Sequence, residues 1–187
     1  LGNIYKSFKD YHKSIENYNI ALNSINKDSN SYADILYRRG GSYERLKEFE
    51  RADEDLLLAL ELNPDQPYVL NYLAYSWLER KINIDQSMQM LLKAYEQKQS
   101  DPYIIDSVGW AYYLTEDYDL AEKFLNNALL IMPEDPIVND HYGDVMWQLD
   151  MKLQARYYWN AALSSDEAEE KLIEDINNKL LFGLNNL

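Results

Sequence analysis

The chain has 187 residues, of which 47 % are hydrophobic and 27 % charged, a composition that folds and fits one domain or one stretch of a longer array. It contains no cysteine, which excludes disulfide staples, thiolate zinc sites and a cysteine nucleophile together, and only two histidines, His12 and His141. With 18 Lys and Arg against 32 Asp and Glu the net charge is −14, so wrapping a phosphate backbone is opposed by long-range repulsion and nucleic acid is excluded as a partner.

Residues 1–50 hold 8 basic and 7 acidic side chains, so the acidity belongs to residues 51–187. No window approaches the roughly 18 apolar residues of a membrane span, and none is predicted in this stretch. The sequence opens at Leu1-Gly2, inside a predicted helix and with no Met or signal-like apolar run, which predicts more helix upstream.

Taken in chain order, the predicted elements repeat. A truncated first copy shows Leu1-Gly2, Tyr5, Ser14, Tyr18 and Ala21. Around Gly40 the chain reads G-x-x-Y, then Ala52, Leu56, Ala59 and Pro64. The next copy keeps Leu73-Ala74, Trp77, Ser87, Leu91 and Ala94, with one residue inserted near Ile82–Ile84. Around Gly109 come Tyr112, Ala121, Leu125, Ala128 and Pro133; around Gly143 come Ala155, Trp159 and Ala162. The anchors Gly2, Gly40, Ala74, Gly109 and Gly143 are spaced 38, 34, 35 and 34 apart, a period of 34 with two small insertions.

Within a copy the pattern predicts two helices of about 13 residues, such as 102–115 and 118–131, broken at Glu116-Asp117. The small residues remove bulk where helices approach, and Tyr112 and Leu125 fill the space beside them. Asp101-Pro102 and Asp135-Pro136 read as an N-cap followed by proline at the first helical position; Pro64 and Pro133 fall in the turns after helices. A last helix is predicted over Asp166–Leu181, capped by Ser165 or Asp166, with Leu172, Ile173, Ile176, Leu180 and Leu181 on one face.

These columns resemble the tetratricopeptide repeat. The resemblance implies an all-α, right-handed α-solenoid of about five helix pairs over residues 1–164. The first copy is truncated at 1–26; the others span 32–65, 66–100, 101–134 and 135–164, and 165–187 form a C-terminal capping helix and tail. Stretches such as Asn71–Trp77, Tyr103–Trp110 and Asn139–Asp144 are similar to the last repeats of proteobacterial envelope scaffolds, some of which hold a processing protease with its substrates. That resemblance implies a cell-envelope or periplasmic location, with the cytoplasm as the alternative.

Chemistry-bearing constellations are sparse. Asp140, His141 and Asp144 share a helix turn, but no second element with metal ligands is evident, and they read as a solvated or peptide-facing edge. His12 reads as surface. No nucleophile elbow, phosphate loop or HExxH motif occurs, so no catalytic residue, cofactor or metal is expected and the chain reads as a non-enzyme. The 17 tyrosines carry the stronger signal. Tyr5, Tyr43, Tyr112 and Trp77 are repeat columns and predicted core.

A second set lies, by the phase of the repeat, on a concave groove: Tyr37, Arg38, Glu44 and Arg45; Tyr68, Asn71, Tyr72, Tyr75 and Glu79; Tyr103, Asp106, Trp110 and Tyr113; Asp140, His141, Asp144 and Trp147. Rungs of aromatic side chains with polar handles suit an extended or helical peptide. The change from Arg38 and Arg45 to Asp106, Asp140 and Asp144 implies a ligand of basic or amide-rich character at the later copies. The lysine- and asparagine-lined clamp by which some tetratricopeptide proteins hold chaperone carboxylates is not matched, since Asp34, Tyr68, Tyr72 and Tyr103 stand on that face. The expectation is a scaffold for a protein or peptide partner; the alternatives are a self-assembling homo-oligomer module, or a regulatory stretch attached to a catalytic domain.

Overall fold

A computed structural model describes residues 1–27 and 29–184. Among them are eleven helices and no strand: α1 (Gly2–Ser7), α2 (Tyr11–Leu22), α3 (Asn30–Arg45), α4 (Phe49–Leu62), α5 (Pro67–Glu79), α6 (Ile84–Gln97), α7 (Pro102–Leu114), α8 (Tyr118–Ile131), α9 (Pro136–Gln148), α10 (Lys152–Leu163) and α11 (Glu170–Phe182). The first ten form five antiparallel pairs, each with a first helix (α1, α3, α5, α7, α9) and a second. The fold class is thus all-α, of the helix-pair solenoid type.

The turn inside each pair has one geometry. Lys9, Lys47, Lys81, Glu116 and Asp150 take positive φ between 56° and 64°. The following N–H then reaches back to a carbonyl five residues earlier, as in Glu48 to Tyr43, Asp117 to Tyr112 and Met151 to Met146. This satisfies carbonyls that the ending helix leaves open. At the other end of the pair, Gln66, Asp101 and Asp135 each accept two backbone N–H groups ahead of Pro67, Pro102 and Pro136. The sequence reading anticipated the two aspartates and passed over Gln66.

The chain divides into two compact units, residues 1–97 and 98–187. In the first, Leu22, Ala33, Leu36, Leu56, Ala59, Val69, Leu73 and Trp77 form one buried cluster. In the second, Ala121, Leu125, Tyr142, Val145, Met146, Ala155, Trp159, Ala162 and Ile176 form another. The repeat columns supply both: Ser14, Ala52, Ser87, Ala121 and Ala155 are fully buried, as are the large Leu56, Leu91, Leu125 and Trp159. Each such leucine contributes roughly 2 kcal/mol. Tyr43 and Trp77 are core, whereas Tyr5 and Tyr112 are only half-buried.

The last helix starts later than the sequence suggested. Glu169 is its N-cap and residues 164–169 are turn or coil, so Ser165 and Asp166 lie ahead of it. The expected tail reaches residues 185–187, outside the described residues.

Candidate functional site

In the first unit the singled-out residues lie on α3 and α5. The Tyr37 and Tyr72 rings meet edge-on at 5.8 Å, and the Tyr72 hydroxyl donates to Glu44 Oε2 at 3.0 Å. Burial raises the Tyr72 phenol well above its ordinary range, and the Glu44 carboxylate adds to that; the phenol is a fixed donor at any working pH. Arg38 is tied to Asp34 at 2.8 Å, four residues back on the same helix.

Lys6 of α1 comes over the Tyr72 ring at 6.0 Å. Its pKa is lowered by burial and then by Arg38 and Arg45. Tyr68 stays 42 % exposed and Arg45 is exposed, while Tyr75 and Asn71 are half-buried. The Asn71 carbonyl oxygen is buried with no hydrogen-bond partner among the described residues.

In the second unit the acidic residues behave differently from the open polar edge that the sequence suggested. Asp106, Asp140, His141 and Asp144 are all buried. His141 Nδ1 lies 2.9 Å from Asp106 Oδ1, and the His141 ring stacks on Trp110 at 4.1 Å. Trp110 in turn stacks on Tyr113 at 4.6 Å. The Lys179 ammonium of α11 donates to both oxygens of Asp140 and to Asp144 Oδ2, each at 2.8 Å.

The Trp159 indole N–H takes the other Asp144 oxygen at 2.9 Å. For Asp140 and Asp144 the cover is α11, which brings Lys179 onto them, whereas Asp106 and His141 are buried against each other between α7 and α9. Tyr103 remains 62 % exposed; Trp110, Tyr113 and Trp147 are half-buried.

One ammonium serving two carboxylates leaves an unbalanced negative charge in a dry site. Burial, then the Asp140 charge, push the Asp144 carboxyl up to about 6, with Lys179 and Trp159 pulling the other way. Burial acts to lower the Lys179 pKa, but Asp144 and Asp140 outweigh it and the net shift is upward. Burial and the nearby Asp144 raise the Tyr113 phenol to about 12.

A register emerges that the sequence reading did not see. Tyr37, Asp106 and Asp140 each stand three residues before a small-residue anchor; Tyr72 and His141 stand two before the next one. Tyr37, Asp106 and Asp140 therefore use one register position for three different contacts with the helix packed beside them: a ring contact to Tyr72, a hydrogen bond to His141 and an ion pair to Lys179. At Asp140 that helix is α11, in the place of a succeeding first helix. Lys179 was not singled out from sequence, although it sits seven residues after Leu172 and three after Ile176, on the apolar stripe of α11. A lone lysine on such a stripe is the signal for a buried ion pair.

Among the described residues no group of three or more His, Cys, Asp or Glu could hold a metal ion. None of the described helices is long and apolar enough to cross a membrane.

Antiparallel pairs with small residues at the crossing points, recurring with a period of 34, define a helix-pair repeat protein. Residues 33–66 match the tetratricopeptide repeat family. The chain is 29 % identical over 110 residues to a TPR repeat-containing protein of Pseudomonas aeruginosa, a match that takes in 59 % of this chain and 18 % of that protein. It is similar in fold to a thermophilic TPR protein of Thermus thermophilus, with a TM-score of 0.77 at 18 % identity over 97 % of this chain and 96 % of that one. Pseudomonas aeruginosa pilF is similar too, with a TM-score of 0.74 at 17 % identity over 97 % and 84 % of the two chains. Residues 33–66 thus carry a tetratricopeptide repeat, and the chain shares the fold of tetratricopeptide-repeat proteins.

Proposed function

We propose that the chain is a non-enzymatic scaffold that binds a segment of a protein partner along the aromatic faces of its first helices. The observation that carries this reading is the state of the aromatic residues on those helices. Tyr37, Tyr72, Trp110 and Tyr113 are held in ring contacts yet half-exposed, with Tyr68 and Tyr103 standing out beside them. Rigid amphipathic rings give contact area at small entropic cost, which is how protein-binding surfaces concentrate their energy.

The partner is acidic or amide-rich where it meets Lys6, Arg38 and Arg45. The resemblance of residues 66–164 to envelope scaffolds supports an adaptor for a protease or assembly complex as the specific form of this function.

The test is partner capture by the wild-type chain and by Tyr68→Ala with Tyr103→Ala. Both side chains are exposed, so helicity should be unchanged by circular dichroism. Loss of about 2 kcal/mol, or roughly thirtyfold in affinity, is expected. Unchanged capture removes the aromatic faces from the function.

A further inference from the structure

The face of α9 that carries Asp140, Asp144 and Trp147 already holds a helix, and that helix shows what the face recognises. Lys179 fills the space between the two carboxylates with three bonds of 2.8 Å. One turn before it, Ile176 is fully buried in the core of the second unit, and Leu172, Leu180 and Leu184 pack against the same cluster. Four residues after the lysine, Gly183 takes φ 73° and passes so close to Trp147 that a Cβ there would lie 2.2 Å from the indole.

The docked surface is thus Ile-x-x-Lys-Leu-x-x-Gly, with apolar, cationic and side-chain-free positions each imposed by a different element of α9 and its core. The two carboxylates exceed the single ammonium in charge, so the face selects a cation, and residues 164–169 join α11 to α10 without helix.

We propose that this face is a receptor for a lysine-bearing amphipathic helix of that pattern, that α11 fills it in cis, and that a partner helix binds there by displacing α11. The proposal rests on the scaffold reading and names the partner chemistry of its acidic end. Tethering keeps α11 at a high effective concentration, so a partner has to match its register to compete.

The test uses a fluorescein-labelled peptide of residues 166–184 and the same peptide carrying Lys179→Met. Both are titrated against the wild-type chain and against Gly183→Ala, a substitution that disturbs α11 at Trp147 while leaving Asp140 and Asp144 in place. The native peptide should bind Gly183→Ala at least about tenfold more tightly than the wild type, and the Met peptide should bind it at least about tenfold more weakly than the native one. Equal affinity of the two peptides, or no saturable binding of either, overturns the proposal.

A second measurement needs no variant: in the ¹⁵N-labelled wild-type chain, excess native peptide should speed amide exchange at residues 176–183, and unchanged exchange also overturns it. Failure here with the Tyr68/Tyr103 result intact leaves the scaffold standing without a displaceable α11. Success here with unchanged capture by the Tyr68/Tyr103 variant removes the aromatic faces instead.

Discussion

Asp140 receives the Lys179 ammonium through both carboxylate oxygens at 2.8 Å, across 39 residues of sequence. Asp140 stands in the same register as Asp106, so the aspartate three residues before the anchor meets the His141 imidazole of α9 in one case and the Lys179 ammonium of α11 in the other. That ties α11 to the second unit by chemistry as well as by shape.

Removing one member of this cluster should cost far more than removing its charge altogether. Lys179→Met leaves two buried carboxylates facing each other and should lower unfolding free energy by about 3 kcal/mol or more. Adding Asp140→Asn and Asp144→Asn to that background should recover most of the loss. Urea denaturation of the single and triple variants checks this; an additive, further loss in the triple variant contradicts the ion cluster as the cause.

The stability of the second unit should depend on pH through Asp144. Its folded pKa is raised from 3.8 to about 6. Its contribution is therefore complete below about pH 4 and is lost as pH rises through about 6. The melting temperature should fall by about 5 °C between pH 5 and pH 7.5, and Asp144→Asn should show a smaller change over that interval. A variant whose pH dependence equals that of the wild type assigns the effect to other carboxylates. Lys179, raised above 10.5, adds no change in this window.

Two glycines should respond to the same substitution with opposite sign. A Cβ at Gly143 would lie 2.5 Å from Trp159 Cδ1 and 3.2 Å from the Ala155 carbonyl, so Gly143→Ala overpacks a fixed ring and should cost about 1–3 kcal/mol. At Gly41 the nearest atoms are the Lys6 ammonium at 2.8 Å and the Tyr72 hydroxyl at 3.3 Å, the first on a flexible stem. Gly41→Ala should stabilise α3 by about 0.5–1 kcal/mol through helix propensity. Thermal melts of the two variants compare them directly.

The repeat was legible because its constraint is local and periodic. A crossing of two helices needs a small residue, and anchors spaced by 34 or 35 residues put Gly40, Gly109 and Gly143 at such crossings, against Leu56, Leu125 and Trp159. The helix breaks were legible for the same reason: Asp101-Pro102 and Asp135-Pro136 act within three residues of themselves. Phase also placed Tyr37 and Tyr72 on first helices of the first unit, and Trp110 and Tyr113 on a first helix of the second.

What phase left open was exposure. Asp106, Asp140, His141 and Asp144 have the spacing of an open polar face, and sequence periodicity reports only which face a residue shares. Whether that face meets water depends on what a distant segment lays over it: Asp106 and His141 close on each other across 35 residues, and Lys179 of α11 arrives at Asp140 from 39 residues away. The sequence by itself determined the helix pairs, their small-residue crossings and the class of fold, since those follow from spacings within one repeat. Only tertiary structure decided that the acidic end is closed by a lysine, because burial and charge pairing are properties of the surfaces that meet.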